Sequence, residues 1–205
     1  MKIPFLSDYL SHLDEVNQRQ QQLAIENDRQ QQWRNAIEAC YSMNNNEINI
    51  HRCPRGNIPE NIKFPANLKK LELYDSSLTE LPKSIYNLTE LTHLKISQSL
   101  LETLPDKVCT LNSLESLIVI RSSLKSLPEN IDGLTNLVYL DFEYNYITLL
   151  PKSIVNLHKL VELDLWSNPI SNISLLDGNL PSLSRFRRYA LHNTPDHAWK
   201  NPILP

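Results

Sequence analysis

Glycine is nearly missing from this chain, with 3 in 205 residues. That scarcity leaves no glycine-rich loop of the kind that lets backbone amides wrap a phosphate. Turns are therefore expected to rest on proline and asparagine, and proline is plentiful at 13. Cysteine is as scarce: Cys40, Cys53 and Cys109 make an odd count without paired spacing. A disulfide framework does not fit that count, and a reducing compartment is expected. No apolar run reaches the about 18 residues that a membrane-spanning helix needs. A net charge of −3 gives no electrostatic footprint for nucleic acid. Met1 to Val16 carries Asp8, Asp14 and Glu15 and does not read as a signal peptide. His192 and His197 lack Cys or carboxylate company at zinc spacing, and neither a nucleophile elbow nor a Cys/His arrangement is present. No cofactor and no metal are expected, and the chain is not expected to be an enzyme.

What the chain does contain is a phrase that returns every 23 residues. It reads Leu68-Lys-Lys-Leu71-Glu-Leu73, then Leu91-Thr-His-Leu94-Lys-Ile96 and Leu114-Glu-Ser-Leu117-Ile-Val119. Leu137-Val-Tyr-Leu140-Asp-Phe142 and Leu160-Val-Glu-Leu163-Asp-Leu165 follow. Ten residues after four of the central leucines stands Leu-Pro, at Pro82, Pro105, Pro128 and Pro151. An aliphatic and a further Leu come next at constant offsets, as in Ile85 and Leu88.

The spacing has a physical reading. Alternation such as Leu71-Glu-Leu73 predicts a strand with one buried face. Leu-Pro then opposes an immediate helix, because proline lacks an N–H and biases its predecessor toward extended backbone. Ile85 and Leu88, three apart, can share one face of a single helical or 3₁₀ turn. One such coil cannot bury its aliphatics alone, whereas stacked coils can, so the repeat predicts a solenoid. A degenerate first coil begins near Asn45, with Ile48-Asn-Ile50 and Ile58-Pro59 in register. Beyond Leu165 the register is expected to slip by three residues, aligning Phe186-Arg-Arg-Tyr189-Ala-Leu191 with the repeat and Thr194-Pro195 with Asn168-Pro169. That gives about seven strands, the last one atypical.

These residues resemble the leucine-rich-repeat family in its 23-residue Leu-Pro-x-x-Ile-x-x-Leu form. The resemblance covers roughly residues 45 to 195 and is specific for fold rather than function. It implies an α/β solenoid: a horseshoe with a parallel concave β-sheet of about seven strands, short 3₁₀ or helical convex turns and an N-terminal α-helical cap. The form is similar to the intracellular, Ras-group-related type and to effectors that pathogenic bacteria inject into host cells. Extracellular members carry disulfide-rich caps, and none is visible here. At the family's Asn position stand Cys53, Ser76, Ser99, Ser122, Asn145 and Asn168. Asparagine both donates and accepts whereas Ser and Cys mainly donate, so the ladder is expected to be full only in the later coils.

Three regions are expected: 1–44 as a helical cap, 45–178 as the repeats, and 179–205 as the last repeat with a C-terminal cap. From Phe5 to Met43 there is no Gly or Pro. Leu6, Tyr9, Leu10, Leu13 and Val16 share a helical stripe, as do Trp33, Ala36, Ile37, Cys40 and Tyr41. A continuous helix would outreach the solenoid. Two arrangements are therefore open, a hairpin near Asn27-Asp28 or a projecting N-terminal half. Trp33 to Tyr41 are expected to cap the first coil, and Leu6 to Val16 offer a partner-binding or self-association helix. At the other end, Phe186, Tyr189 and Trp199 would seal the core, with Arg185, Arg187, Arg188 and Lys200 covering the last coil or meeting a phosphate or acidic partner.

Strand residues between the leucines point to the inner face and line up in columns. One column runs Asn49, Glu72, Lys95, Ile118, Asp141, Asp164 and Ala190, and the next His51, Tyr74, Ser97, Ile120, Glu143, Trp166 and His192. The column before the central Leu holds Lys70, His93, Ser116, Tyr139, Glu162 and Arg188, with Arg121 and Tyr144 beyond the strands. Nothing in the fold requires Ile118, Ile120, Tyr139 or Trp166 to be apolar. Bordered by Asp141, Glu143, Glu162 and Asp164, they form the anchors and charged rim expected of a binding patch. Tyr74, Lys95 and Tyr144 complete the expected protein-binding set. The acidic rim suggests a partner segment carrying Lys or Arg. Asp141 and Asp164 would lie about 5 Å apart on adjacent strands, but an open face should not desolvate either acid, which argues against catalysis.

The reading is a monomeric, non-enzymatic protein-interaction module that is cytoplasmic or secreted by a bacterium into the host cell cytosol. Two alternatives stand beside it: the substrate-recognition portion of a larger enzyme such as an effector ubiquitin ligase, and an endogenous intracellular scaffold.

Overall fold

Each 23-residue phrase becomes one turn of a coil, and its strand pairs with the strand of the next coil in the same register. The structure, a computed structural model, describes residues 4–41, 46–51, 53–54, 56–74 and 77–187. Helix α1 spans Pro4–Tyr41 and is followed by seven strands. These are β1 (Glu47–His51), β2 (Lys70–Tyr74), β3 (His93–Ser97), β4 (Ser116–Ile120), β5 (Tyr139–Asp141), β6 (Glu162–Asp164) and β7 (Arg185–Arg187). They form one parallel sheet in sequence order. Leu71, Leu94, Leu117, Leu140 and Leu163 sit side by side across it, all buried.

The outer side is made by 3₁₀ turns, among them Lys83–Asn87, Asp106–Thr110 and Lys152–Asn156. The proline before each of these is extended, with ψ of 148°, 145° and 146°. The turn opens directly after it, the amide of Ile85 donating to the carbonyl of Pro82 at 3.1 Å. Proline thus sets the entry of the turn rather than delaying it. Ile85, Val108, Ile131 and Ile154 plug the space between turn and sheet, fully buried. The leucines and these aliphatics form one continuous core from Trp33 to Leu180.

Between strand and outer turn the chain reverses at Gln98, Arg121, Tyr144 and Ser167, with φ of 54°, 50°, 54° and 58°. Non-glycine residues here cost about 1 kcal/mol each. The corner is held by the residue that follows. Asn145 donates from Nδ2 to the carbonyls of Val119 at 2.7 Å and Phe142 at 2.9 Å, and its Oδ1 accepts from the amide of Leu124 at 3.1 Å. Asn168 does the same one coil later, with Phe142, Leu165 and Ile147. At the earlier corners the Ser99 hydroxyl donates to that of Ser122 at 2.8 Å and accepts from the Leu101 amide at 3.5 Å, and Ser122 donates to the carbonyl of Ile120. Cys53 reaches the carbonyl of Ile50 at 3.7 Å, and Ser76 lies outside the described residues. The ladder is full where Asn stands.

One expectation changes. The repeat does not slip after Leu165: β7 pairs with β6 at the ordinary 23-residue step, Leu163 beside Phe186 and Asp164 beside Arg187. Phe186 fills the central leucine place and Leu183 the first. Arg185 and Arg187, not Arg188 and Ala190, therefore enter the inner columns. Arg188, Tyr189, Ala190, Leu191, His192, Thr194, Pro195, His197, Trp199 and Lys200 lie outside the described residues. Of the two arrangements open for α1 the projecting one holds, since the helix is continuous with no hairpin at Asn27-Asp28. At 38 residues it is about 57 Å long. Its last turns cap the first coil: Trp33 and Ile37 are buried and Ala36, Cys40 and Tyr41 pack beside them. Cys40 donates to the carbonyl of Asn49, and the Tyr41 hydroxyl to Asn67 at 2.8 Å. Leu10 and Leu23 are 52 % and 62 % exposed, so the N-terminal half projects. The side chains of Leu6 and Tyr9 are outside the described set.

Candidate functional site

Because every strand presents alternate residues inward and outward, the side chains between the core leucines form a wall on the concave side. In the register of that wall Ile118 stands between Lys95 and Asp141, Ile120 beside Ser97, and Tyr139 between Ser116 and Glu162. Glu143 and Trp166 follow the strand ends, where the amide of Arg121 still donates to Glu143 and that of Tyr144 to Trp166. Ile118, Ile120, Tyr139 and Trp166 are half-buried and lie outside the core. Tyr144 is 44 % exposed. Ten of the eleven residues singled out in the sequence follow this alternation onto one side of the sheet, and Tyr144 stands at the corner beyond Glu143, with φ of 54°.

Aromatic rings on this wall are accompanied by cations. Tyr74 stacks on His51 at 4.6 Å, and Lys95 Nζ lies 5.1 Å from its centroid. Arg187 sits 5.6 Å from the Trp166 ring, in the same relation one residue set at a time: each cation is 21 residues beyond its ring. Arg121 lies 5.4 Å from the Tyr144 ring.

The acidic residues are less open than a rim requires. Asp141 and Asp164 are only 9 % and 8 % exposed. Each closes a small ring with its own backbone, Asp141 Oδ1 accepting from the amide of Glu143 at 3.0 Å and Asp164 Oδ1 from that of Trp166 at 2.9 Å. Such side chain-to-backbone bonds compete with the ladder, and β5 and β6 have three residues where β2 to β4 have five. The Tyr139 hydroxyl donates to Asp141 Oδ2 at 3.3 Å. Arg187 pairs with Asp164 at 2.6 Å and with Glu143 at 3.9 Å, and Arg185 with Glu162 at 3.1 Å. The rim is thus largely balanced by the chain itself. Sequence reasoning missed these arginines because Phe186-Arg-Arg-Tyr189 imitates the Leu-x-x-Leu spacing; a plain 23-residue step from Glu162 and Asp164 would have found both.

The expectation that an open face desolvates neither acid fails for Asp141. Burial, followed by the Asp164 charge, raises the Asp141 carboxyl against the lowering effect of the Glu143 amide. Burial and Asp164 raise Glu143 too. The Tyr139 phenol is pushed up to about 12, first by burial and then by Asp141. One oxygen each from Asp141, Glu143 and Asp164 lie within 4.8 Å of one another. Arg187 already stands at that cluster as its counter-charge.

Residues 112–170 match the family profile described as leucine-rich repeat. No curated protein sequence matches the chain. Among solved structures the chain is similar to a leucine-rich-repeat protein of Leptospira interrogans, at 31 % identity and TM-score 0.56 over 67 % of this chain and 36 % of that one. It is also similar to the leucine-rich-repeat domain of the type III effector XopL, at 25 % identity and TM-score 0.61, over 75 % of this chain and 55 % of that one. A plant ice-binding protein matches at 26 % identity and TM-score 0.53, covering 66 % of this chain and 53 % of its own. This chain therefore spans about a third of the Leptospira structure and about half of the effector domain. Sheet, corner ladder and comparisons together define a leucine-rich-repeat solenoid. The chain belongs to the leucine-rich-repeat family, with resemblance to bacterial members.

Proposed function

We propose that this protein binds another protein through its concave wall. The observation that carries the reading is the row Ile118, Ile120, Tyr139 and Trp166: large apolar side chains that the core does not use, half-exposed on a regular, rigid sheet. A leucine-rich-repeat scaffold fits an interaction module, and aromatic and aliphatic anchors in a polar surround are what interfaces use. Among the described residues no helix is long and apolar enough to cross a membrane.

The finer reading is an effector that a bacterium delivers to act on a host protein in the host cytosol. Similarity to a Leptospira protein and to the type III effector XopL supports it. Because the XopL structure is a domain of an effector, a second reading keeps this chain as the recognition portion of a larger protein. Reading the gene on both sides of the present sequence separates these two.

The test is capture from candidate host lysate with the intact chain and with a Trp166→Ala/Tyr139→Ala variant. A captured protein whose recovery falls at least about tenfold with the variant, roughly 1.4 kcal/mol, supports the wall as the contact. Equal recovery by both overturns it.

A further inference from the structure

The concave wall holds charges that the chain balances and charges that it leaves unbalanced. Lys70 pairs with Glu72 at 3.3 Å, Arg185 with Glu162 and Arg187 with Asp164. Among the described residues, Lys95 and Arg121 have no carboxylate within the 4.0 Å of an ion pair. Glu143 senses the Arg121 charge only from beyond that distance. Each of the two cations is instead held over a ring, Lys95 over Tyr74 and Arg121 over Tyr144. A cation on a ring keeps its hydrogen-bond donors available, because the ring meets it with a face and not with acceptors.

Their placement frames the apolar centre of the wall. Lys95 lies directly across from Ile118, and Arg121 directly follows Ile120. Asp141 stands on the far side of Ile118, a strand further from Lys95, with both oxygens engaged by Tyr139 and the Glu143 amide. Arg121 stands at the corner after β4, where φ is 50°, so the two cations lie on neighbouring coils at different levels of the wall.

We infer that this part of the wall takes an extended acidic–aliphatic segment of the partner protein. An aliphatic side chain rests on Ile118 and Ile120, and carboxylates on either side of it meet Lys95 and Arg121. The inference rests on the concave-wall reading and reverses the basic partner that the acidic residues suggest in the sequence alone.

The test is selection of displayed random linear peptides on the full chain, followed by affinity measurement with the selected peptides as synthetic ligands. The expected peptides carry Asp or Glu on both sides of an aliphatic residue. Lys95→Glu with Arg121→Glu should weaken them at least about tenfold, and Ile118→Ser should weaken any wall binder. If charge reversal lowers Tm, Lys95→Gln with Arg121→Gln carries the same comparison with a smaller loss. Selected peptides that are basic, or acidic ones indifferent to the charge changes, overturn this inference while the concave-wall reading stands. Binders that also ignore Ile118→Ser, or no binder at all, overturn both.

Discussion

Asn145 satisfies two core carbonyls and one amide with a single side chain, where the Ser99 hydroxyl reaches Ser122 and, at a long 3.5 Å, the Leu101 amide. Removing it leaves the Val119 carbonyl and the Leu124 amide buried without that partner, while the Phe142 carbonyl keeps Asn168. Each such group costs about 1–3 kcal/mol, so Asn145→Ala should destabilise by about 3 kcal/mol or more and Ser99→Ala by about 1 kcal/mol. Chemical denaturation of both variants checks this, and equal losses would show that the asparagine corners are no tighter than the serine ones. Asp141 yields a second expectation at this scale. Burial raises its carboxyl in the folded chain, so the folded state keeps a proton that the unfolded state releases. Stability contributed by that proton is present at low pH and is lost as pH rises from about 4 through the raised folded value. An Asp141→Asn side chain still accepts from the Glu143 amide but has no charge to desolvate. Relative to the unaltered protein, that variant should therefore gain stability between acid and neutral pH. Denaturation midpoints at the two ends of that range decide, and a gap independent of pH contradicts the assignment.

At the scale of elements, the strands and 3₁₀ turns were legible because each is fixed by apolar residues at a constant step, and the core leaves those positions no freedom. The columns of the wall followed from the same register. What the sequence concealed was chemistry across coils. Nothing local in Asp141-Phe-Glu or Asp164-Leu-Trp announces that each carboxylate will fold back on its own backbone, and Arg187 reaches Asp164 only once the seventh strand is placed. Helix α1 shows the complementary limit. Its apolar stripes allowed either a hairpin or a projecting rod, and the choice depended on long-range packing. Trp33 is fully buried against the first coil, whereas nearly all side chains from 10 to 25 face solvent. Trp33→Ala should cost about 3–5 kcal/mol by emptying the cap. Deleting residues 1–20 should change stability by less than about 1 kcal/mol, since surface segments without contacts contribute little. Thermal unfolding of the two variants compares them. A large loss on deletion would mean that the projecting half is held by contacts of its own.

As a whole, the molecule is a wall that cannot easily deform, since every coil is bonded to its neighbours through backbone and core together. Binding on such a surface is a matter of which side chains its strands present, and here those are two isoleucines between aromatic residues and cations. Away from the strands, the 3₁₀ turn Lys83–Asn87 carries Tyr86, and Leu100 and Leu149 are exposed in the segments that lead from strand to turn. Hydroxyl-radical footprinting of the chain, alone and with its captured partner, discriminates between the two sides in one experiment. The account predicts that oxidation of Tyr74, Ile118, Ile120, Tyr139 and Trp166 falls in the complex while Tyr86 is unchanged. Protection of Tyr86, Leu100 or the projecting half of α1, with the five wall residues unaltered, would contradict it.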